Sequence, residues 1–487
     1  MNDPQQLIPE GPASRLTGGT RISAGNQVRY LKDAAENFPA WLQGIQNAHQ
    51  FICIEMYMWE AGNFGLEVRN LLEQKLHQEV KVYIIYDWIG SFKAHLKNFF
   101  APLVALGAEV KAFNKFGISI GFGIISRDHR KSIVIDGVKA YVGGLCISSS
   151  WQGDPAKHIS PWRDSGLEIQ GPAARDVLHT FIDTWRKIAD KNFDIAIPSL
   201  PEYRGPSDKG RVRVVGTEPR NSNMIRLDLL AISFAERSIW ITDAYFISTS
   251  LYSGLLMNAA KAGMDVRILV PRNSDIPWIA SVSRTQYRAL LEAGVRIFEW
   301  NGSMIHCKSL VIDGIWARVG STNLNFSSWF SNSELDIVLE GEEEVSPLSV
   351  AYLQDIQHCT EIVLDRDKKN HLHPLYTREQ AGYRYREKMP PTAYAHQVVS
   401  WGKGVNSILR GKPESEDLVN GREGRSYTLI ALFFWLVSII AFEFPKVIAY
   451  PLNLITLVCA LILSQKAYRA LQLSLIHISE PTRLGMI

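Results

Sequence analysis

Apolar positions along the chain fall into short continuous runs that alternate with helical patterns, and the alternation occurs twice. FICIEMYMW (51–59) is echoed by SIWITDAYF (238–246), VKVYIIYD (80–87) by MDVRILVP (264–271), and LVALGAEVKAFN (103–114) by ALLEAGVRIFEW (289–300). Each run suits a strand buried on both faces, and Gly107 and Gly294 sit where a helix ends before a strand. The order helix, strand, helix, strand, helix, strand in both halves predicts an α/β fold of two α/β/α sandwich halves related by a pseudo-two-fold axis.

The repeats continue into polar positions. Each half reaches an H-x-K-x4-D segment, His129-Lys131-Asp136 and His306-Lys308-Asp313, followed by KAYVGG (139–144) or WARVGS (316–321). Six residues separate Asp136 from Gly143 and six separate Asp313 from Gly320. Asp164 and Glu334 each stand seven residues before a glycine, in DSGLEIQG and ELDIVLEG. The duplication therefore equates His129 with His306, Lys131 with Lys308, Asp136 with Asp313 and Asp164 with Glu334.

Outside the repeats, residues 1–20 read as a tail, 21–200 as the first half, 201–210 as a linker, 211–365 as the second half and 366–425 as a connector. Two apolar runs, 427–442 and 447–463, are each slightly shorter than the roughly 20 residues of a spanning helix, yet more uniformly apolar than a core helix requires. They predict a C-terminal hydrophobic helical hairpin over 426–466, with buried core helices as the alternative. If the runs form a membrane hairpin, Arg422 and Arg425 before it and Lys466 and Arg469 after it predict both flanks, and the body of the chain, on the cytoplasmic side of the inner membrane. LSLIHISEPTR (473–483) matches the translation of a transposase-type sequencing adapter, so 473–487 is set aside as read-through and His477 is assigned to no site.

Composition narrows the picture a little. A formal net charge of +3 forces no nucleic-acid partner. The five cysteines, without C-x-x-C spacing, argue against a disulfide framework or thiolate zinc site and fit a reducing compartment. The N-terminal residues lack the basic and apolar regions of a signal peptide.

The chemistry follows from the paired motifs. Residues i and i+2 of a strand share a face, so His129 points with Lys131, and His306 with Lys308. Two such cationic pairs brought together repel unless an anion lies between them. A phosphodiester is such an anion, and its displacement needs a nucleophile on one side of phosphorus and a proton donor to the leaving oxygen on the other. Two equivalent histidines supply both, while Lys131, Lys308 and Asn323 can hold the non-bridging oxygens without a metal or other cofactor. A carboxylate accepting from Nδ1 would hold each imidazole in the productive tautomer, and Asp164 and Glu334 are the candidates, with surface acids at strand starts as the alternative. Asp136 and Asp313, each just before a glycine, suit a structural turn role.

These segments resemble the phospholipase D superfamily, whose signature is two H-x-K-x4-D-x6-G-[GS]-x-N motifs. The resemblance spans about residues 20–365, and the second copy, HCKSLVIDGIWARVGSTN, is complete. HRKSIVIDGVKAYVGGL, PWRDSGLEIQGPA and SNSELDIVLEG are similar to the bacterial cardiolipin synthases of that superfamily. The resemblance implies transfer of a phosphatidyl group, commonly from one phosphatidylglycerol to another, through a phosphohistidine intermediate. It implies His129 as nucleophile and His306 as acid and then base, with phospholipid and membrane as partners and no nucleic acid. Two departures lie in the first half: Cys146 stands where the family has Asn, and FGISIGFGII (116–125) is an insert relative to the second half, either a core strand or a loop lining an acyl-chain entrance. Alternative readings are a phospholipase D-type hydrolase, a nuclease of the same superfamily, and a scaffold with a decayed site.

Overall fold

The structure is a computed structural model that describes residues 7–114, 126–154, 159–189, 209–219, 221–364 and 372–374. The chain divides into two units, 1–403 and 404–487, and all described residues belong to the first. The insert 116–125, the expected linker residues 201–208, the connector apart from 372–374, the apolar hairpin 426–466 and the segment 473–487 lie outside the described residues. Among the described residues no helix is long and apolar enough to cross a membrane.

The first half is a seven-stranded sheet of β1 (Gln27–Lys32), β2 (Phe51–Met56), β3 (Lys81–Asp87), β4 (Glu109–Phe113), β5 (Lys131–Ile135), β6 (Lys139–Gly143) and β7 (Ser165–Gln170), in the order β1-β7-β6-β5-β2-β3-β4. The second half holds β8 (Arg211–Thr217), β9 (Ser238–Asp243), β10 (Asp265–Pro271), β11 (Arg296–Trp300), β12 (Lys308–Ile312), β13 (Trp316–Gly320), β14 (Glu334–Glu340), β15 (Cys359–Leu364) and β16 (Leu372–Pro374). Its order, β16-β15-β11-β10-β9-β12-β13-β14-β8, repeats that of the first sheet and adds two strands at one edge. Register is repeated too: Met56 faces Lys131 across β2 and β5, and Asp243 faces Lys308 across β9 and β12.

Each run read as a strand forms one, and Gly107 and Gly294 end their helices at positive φ, 99° and 96°, where a side chain would be strained. Both motif lysines open their strands, so the histidines lie two residues before the ladder rather than within it. The strands missing from the sequence reading are β1, β8, β15 and β16. β1 alternates exposed and half-buried positions, without the apolar signal of a central strand. Residues 1–20, read as a tail, contain the helix Glu10–Leu16, which buries Ala13 and pairs Glu10 with the buried Arg213.

The halves share a core. Val134, Val142, Leu167 and Ile169 of the first sheet meet Val311, Val319, Leu335 and Ile337 of the second, with helices Pro172–Ile188 and Glu342–Ile356 completing the same cluster. Leu335 and Ile337 are fully buried there, and truncating either to Ala would cost about 2–5 kcal/mol. This contact fixes the two sheets against each other and decides which loops meet.

Candidate active site

Two backbone bridges between the halves set the geometry. The His129 amide donates to the Ser333 carbonyl at 2.9 Å, and the Ser333 amide returns to Arg127 at 2.8 Å. Likewise the His306 amide donates to Arg163 at 2.7 Å, and the Arg163 amide donates to Met304 at 2.8 Å. Each motif histidine is thereby laid beside the residue preceding the other half's acid.

The imidazole–carboxylate pairs are consequently crossed. Nδ1 of His129 lies 2.8 Å from Glu334 of the second half, and Nδ1 of His306 lies 2.8 Å from Asp164 of the first. With Nδ1–H donating to the carboxylate, Nε2 keeps its lone pair for phosphorus or for a proton. Glu334 Oε2 also accepts from Ser321 Oγ at 2.6 Å, and Asp164 Oδ2 from Trp151 Nε1 at 2.7 Å. Burial alone would raise both carboxyls, but the adjacent histidine, the local lysine and these hydrogen bonds outweigh it and lower them below their ordinary values.

The four basic groups act on one another. Burial is the main influence on His306 and, with repulsion from Lys308, takes it down to about 3 despite the attraction of Asp164. His129 is lowered as well, by burial first and by Lys131, against the pull of Glu334. Lys308 falls to about 8 through burial, opposed by Asp164 and assisted by repulsion from Lys131 of the other half; burial lowers Lys131 too. Each lysine ammonium donates to the carbonyl of its own histidine and stands over an aromatic ring, Lys131 5.0 Å from the Tyr57 centroid and Lys308 5.6 Å from that of Tyr245. The same rings approach His129 and His306 at 4.9 and 5.8 Å. A desolvated set of mutually repelling cations suits an anion, and the two Nε2 atoms suit displacement at its centre.

Asp136 and Asp313 stand beyond the far ends of their five-residue strands, roughly 15 Å from the lysines. Asp136 accepts from the amides of His49, Gln50 and Phe51 at 2.8–2.9 Å, and Asp313 from those of Glu236, Arg237 and Ser238 at 2.7–2.8 Å. Each clamps the entry of the neighbouring central strand, β2 or β9. The motif glycines have a steric reason: a Cβ on Gly143 would come within 2.5 Å of the Ser165 carbonyl, and one on Gly320 within 2.4 Å of the Leu335 carbonyl.

Comparison with known proteins places the chain in a family. Residues 229–356 match the family model described as cardiolipin synthase, PLD-like domain. The chain is 31% identical over 351 residues to a cardiolipin synthase of Alkalihalophilus pseudofirmus, covering 71% of this chain and 69% of that one. With a cardiolipin synthase of Halalkalibacterium halodurans it is 32% identical over 347 residues, covering 70% and 68%. The chain belongs to the cardiolipin synthase family. In fold it is similar to the phosphatidylserine synthase of Haemophilus influenzae, with a TM-score of 0.55 at 14% identity over 72% of this chain and 91% of that one.

Within this cardiolipin synthase family member the two half-sites differ. Gly144 takes the place of Ser321 because Asp164 already fills the space: a Cβ there would lie 2.3 Å from its Oδ1. Trp151 supplies the missing donor, and with Trp162 and Tyr245 it boxes the His306 ring at centroid distances of 5.1, 5.6 and 5.8 Å. The His306 side chain is 5% exposed and that of His129 11%. Asn323, on the loop leaving β13, receives little from the protein: its side-chain oxygen is buried without a hydrogen-bond partner. At the equivalent position Cys146 is buried, and burial pushes its thiol up against the lowering influence of Lys131, so a reactive thiolate is not favoured.

Sequence reading did not find Tyr57, Tyr245, Trp151, Trp162 or Ser321. Tyr57 and Tyr245 lie inside the duplicated aromatic runs but are offset by one residue in register, which hid their equivalence. Trp151 and Ser321 have no shared pattern, since one replaces the other from a different loop.

Proposed function

We propose that this chain is a cardiolipin synthase that moves a phosphatidyl group between two phosphatidylglycerol molecules by way of a phosphohistidine. The crossed pairs His129–Glu334 and His306–Asp164, at 2.8 Å each, carry the reading. Nε2 of His129 attacks phosphorus of the first phosphatidylglycerol, the bond to the glycerol oxygen breaks, and Nε2–H of His306 protonates the departing glycerol. His306 then removes the proton of a hydroxyl on the second phosphatidylglycerol, whose oxygen displaces His129 and forms cardiolipin. Lys131, Lys308 and the Asn323 amide hold the non-bridging oxygens throughout. The greater accessibility of His129 and the enclosure of His306 support this division of roles.

Membrane association fits such a substrate, and the apolar runs of 426–466 with basic flanks support anchoring in the cytoplasmic membrane with the catalytic body on the cytoplasmic side. The test is to incubate the full chain with labelled phosphatidylglycerol in mixed micelles and resolve the lipids. Cardiolipin and free glycerol are the expected products, and both disappear in His129→Ala and His306→Ala. Phosphatidic acid in place of cardiolipin would make the chain a hydrolase and overturn the reading.

A further inference from the structure

Among the described residues the first half carries a surface with no counterpart in the second. Five of the eleven exposed large hydrophobics among the described residues lie within one short stretch: Ile89, Phe92, Leu96, Val104 and Leu106, with Leu96 66% exposed. From Trp88 to Ala108 the sequence contains no acid, whereas Lys93 and Lys97 are both exposed. On the helix Phe92–Leu96 the spacing of four residues sets Phe92 and Leu96 in one row and Lys93 and Lys97 in the next. The equivalent stretch of the second half, 272–293, mixes Arg272, Asp275, Arg284, Arg288 and Glu292, and among its described side chains Val282 is the only exposed large hydrophobic.

This stretch is held firmly and is braced against the reacting groups. Ala94, Phe99, Phe100 and Leu103 anchor it in the first-half core, and His95 Nδ1 is 2.7 Å from the Tyr86 hydroxyl. Ser91 Oγ donates to the carbonyl of Tyr57, whose ring lies under Lys131 and beside His129, at 3.2 Å. Gly90 packs so closely on that carbonyl that a Cβ would approach it to 2.2 Å. Asp87, which caps the start of the stretch through the amides of Ile89 and Gly90, also accepts from the Asp128 amide, next to His129, at 3.0 Å.

We propose that Ile89, Phe92 and Leu96, flanked by Lys93 and Lys97, form the face by which the catalytic body docks on an anionic phospholipid bilayer, bringing lipid headgroups to the His129 side of the site. Apolar side chains enter the headgroup boundary while lysines pair with lipid phosphates, the combination that interfacial segments use. The inference rests on the proposed lipid substrate.

The test uses the full chain in phosphatidylglycerol vesicles, with an environment-sensitive fluorophore on Leu96→Cys or, as control, on Val350→Cys, which lies on helix Glu342–Ile356 and is 50% exposed. Signal is read above that of the labelled parent chain. The Leu96 probe is expected to shift to the blue and be quenched by a lipid-borne quencher, and the Val350 probe to do neither. Lys93→Gln with Lys97→Gln should weaken docking by roughly 25-fold, about fivefold per lysine. A Leu96 probe that stays in water, or a Val350 probe quenched equally, overturns the proposal. Lipid analysis of the same vesicles separates the two readings: cardiolipin formed without Leu96 insertion removes the docking face alone, and insertion without cardiolipin removes the proposed activity alone.

Discussion

Filling the site with a doubly charged anion should draw a proton out of solution, and sulfate, which does not itself titrate near neutrality, is the simplest perturbation. In the unfilled site burial and the two lysines hold His306 at about 3, so it is neutral at pH 6. A unit negative charge about 4 Å away contributes about 4 kcal/mol at an effective dielectric constant near 20. At about 1.4 kcal/mol per pKa unit this lifts His306 by about 3 units, to about 6. The second charge of sulfate pushes further in the same direction. Binding at pH 6 should therefore take up between about half a proton and one proton. The uptake is measured by titration calorimetry in two buffers of different ionisation enthalpy, and His306→Ala should reduce it. The sign also fixes the pH dependence. Because the occupied site holds the proton more tightly, affinity rises as pH falls from about 6 toward about 3, and it declines as pH rises through about 8, where Lys308 loses its charge. No uptake at pH 6, or proton release, would refute a site in which buried cations await a phosphodiester.

Further predictions concern the two-half construction and its asymmetry. The buried Arg163 guanidinium holds Asp355 across the interface at 2.8–3.0 Å, so Asp355→Ala should destabilise the chain by about 3–5 kcal/mol, read as a lower denaturation midpoint. Trp151→Phe removes one donor from Asp164, makes that carboxylate more basic and raises His306 with it; the basic limb of the pH profile of kcat/KM, set by His306 as proton donor, should move upward, whereas a purely packing role would change only the amplitude. Cys146→Asn should lower KM by restoring an amide donor beside Lys131, and Asn323→Cys should raise it; unchanged KM in both would remove the amide from phosphate binding. A chelator should leave cardiolipin formation unchanged, and restoration by a divalent ion after its loss would sink the metal-independent mechanism.

The parts of the fold legible in the sequence were those written in linear spacing. The duplicated runs became equivalent strands because apolar continuity and glycine position are local signals, and His129, Lys131, His306 and Lys308 are marked by their shared distance to Gly143 and Gly320. The missed pieces depend on distant partners. Helix Glu10–Leu16 exists against Arg213 and the second-half core, two hundred residues along the chain. Trp151 matters only because Gly144 leaves room for Asp164, and no spacing rule connects those positions.

Which acid serves which histidine was likewise beyond a linear reading, and it has the larger consequence. The duplication equates Asp164 with Glu334 without saying that each crosses to the other half. The crossing follows from the bridges Asp128 to Ser333 and Arg163 to Ile305, which exist only once the sheets have packed. A single half therefore holds a histidine without its carboxylate and a carboxylate without its histidine. Duplication then allows divergence, because each support can be replaced separately: the second half keeps Ser321 and Asn323, while the first has Gly144, Cys146 and the borrowed indole of Trp151. Gly144 and Trp151 of the first half act through Asp164 on His306 of the second, so the divergence of one half is felt at the histidine of the other. Ser321 of the second half likewise acts through Glu334 on His129 of the first.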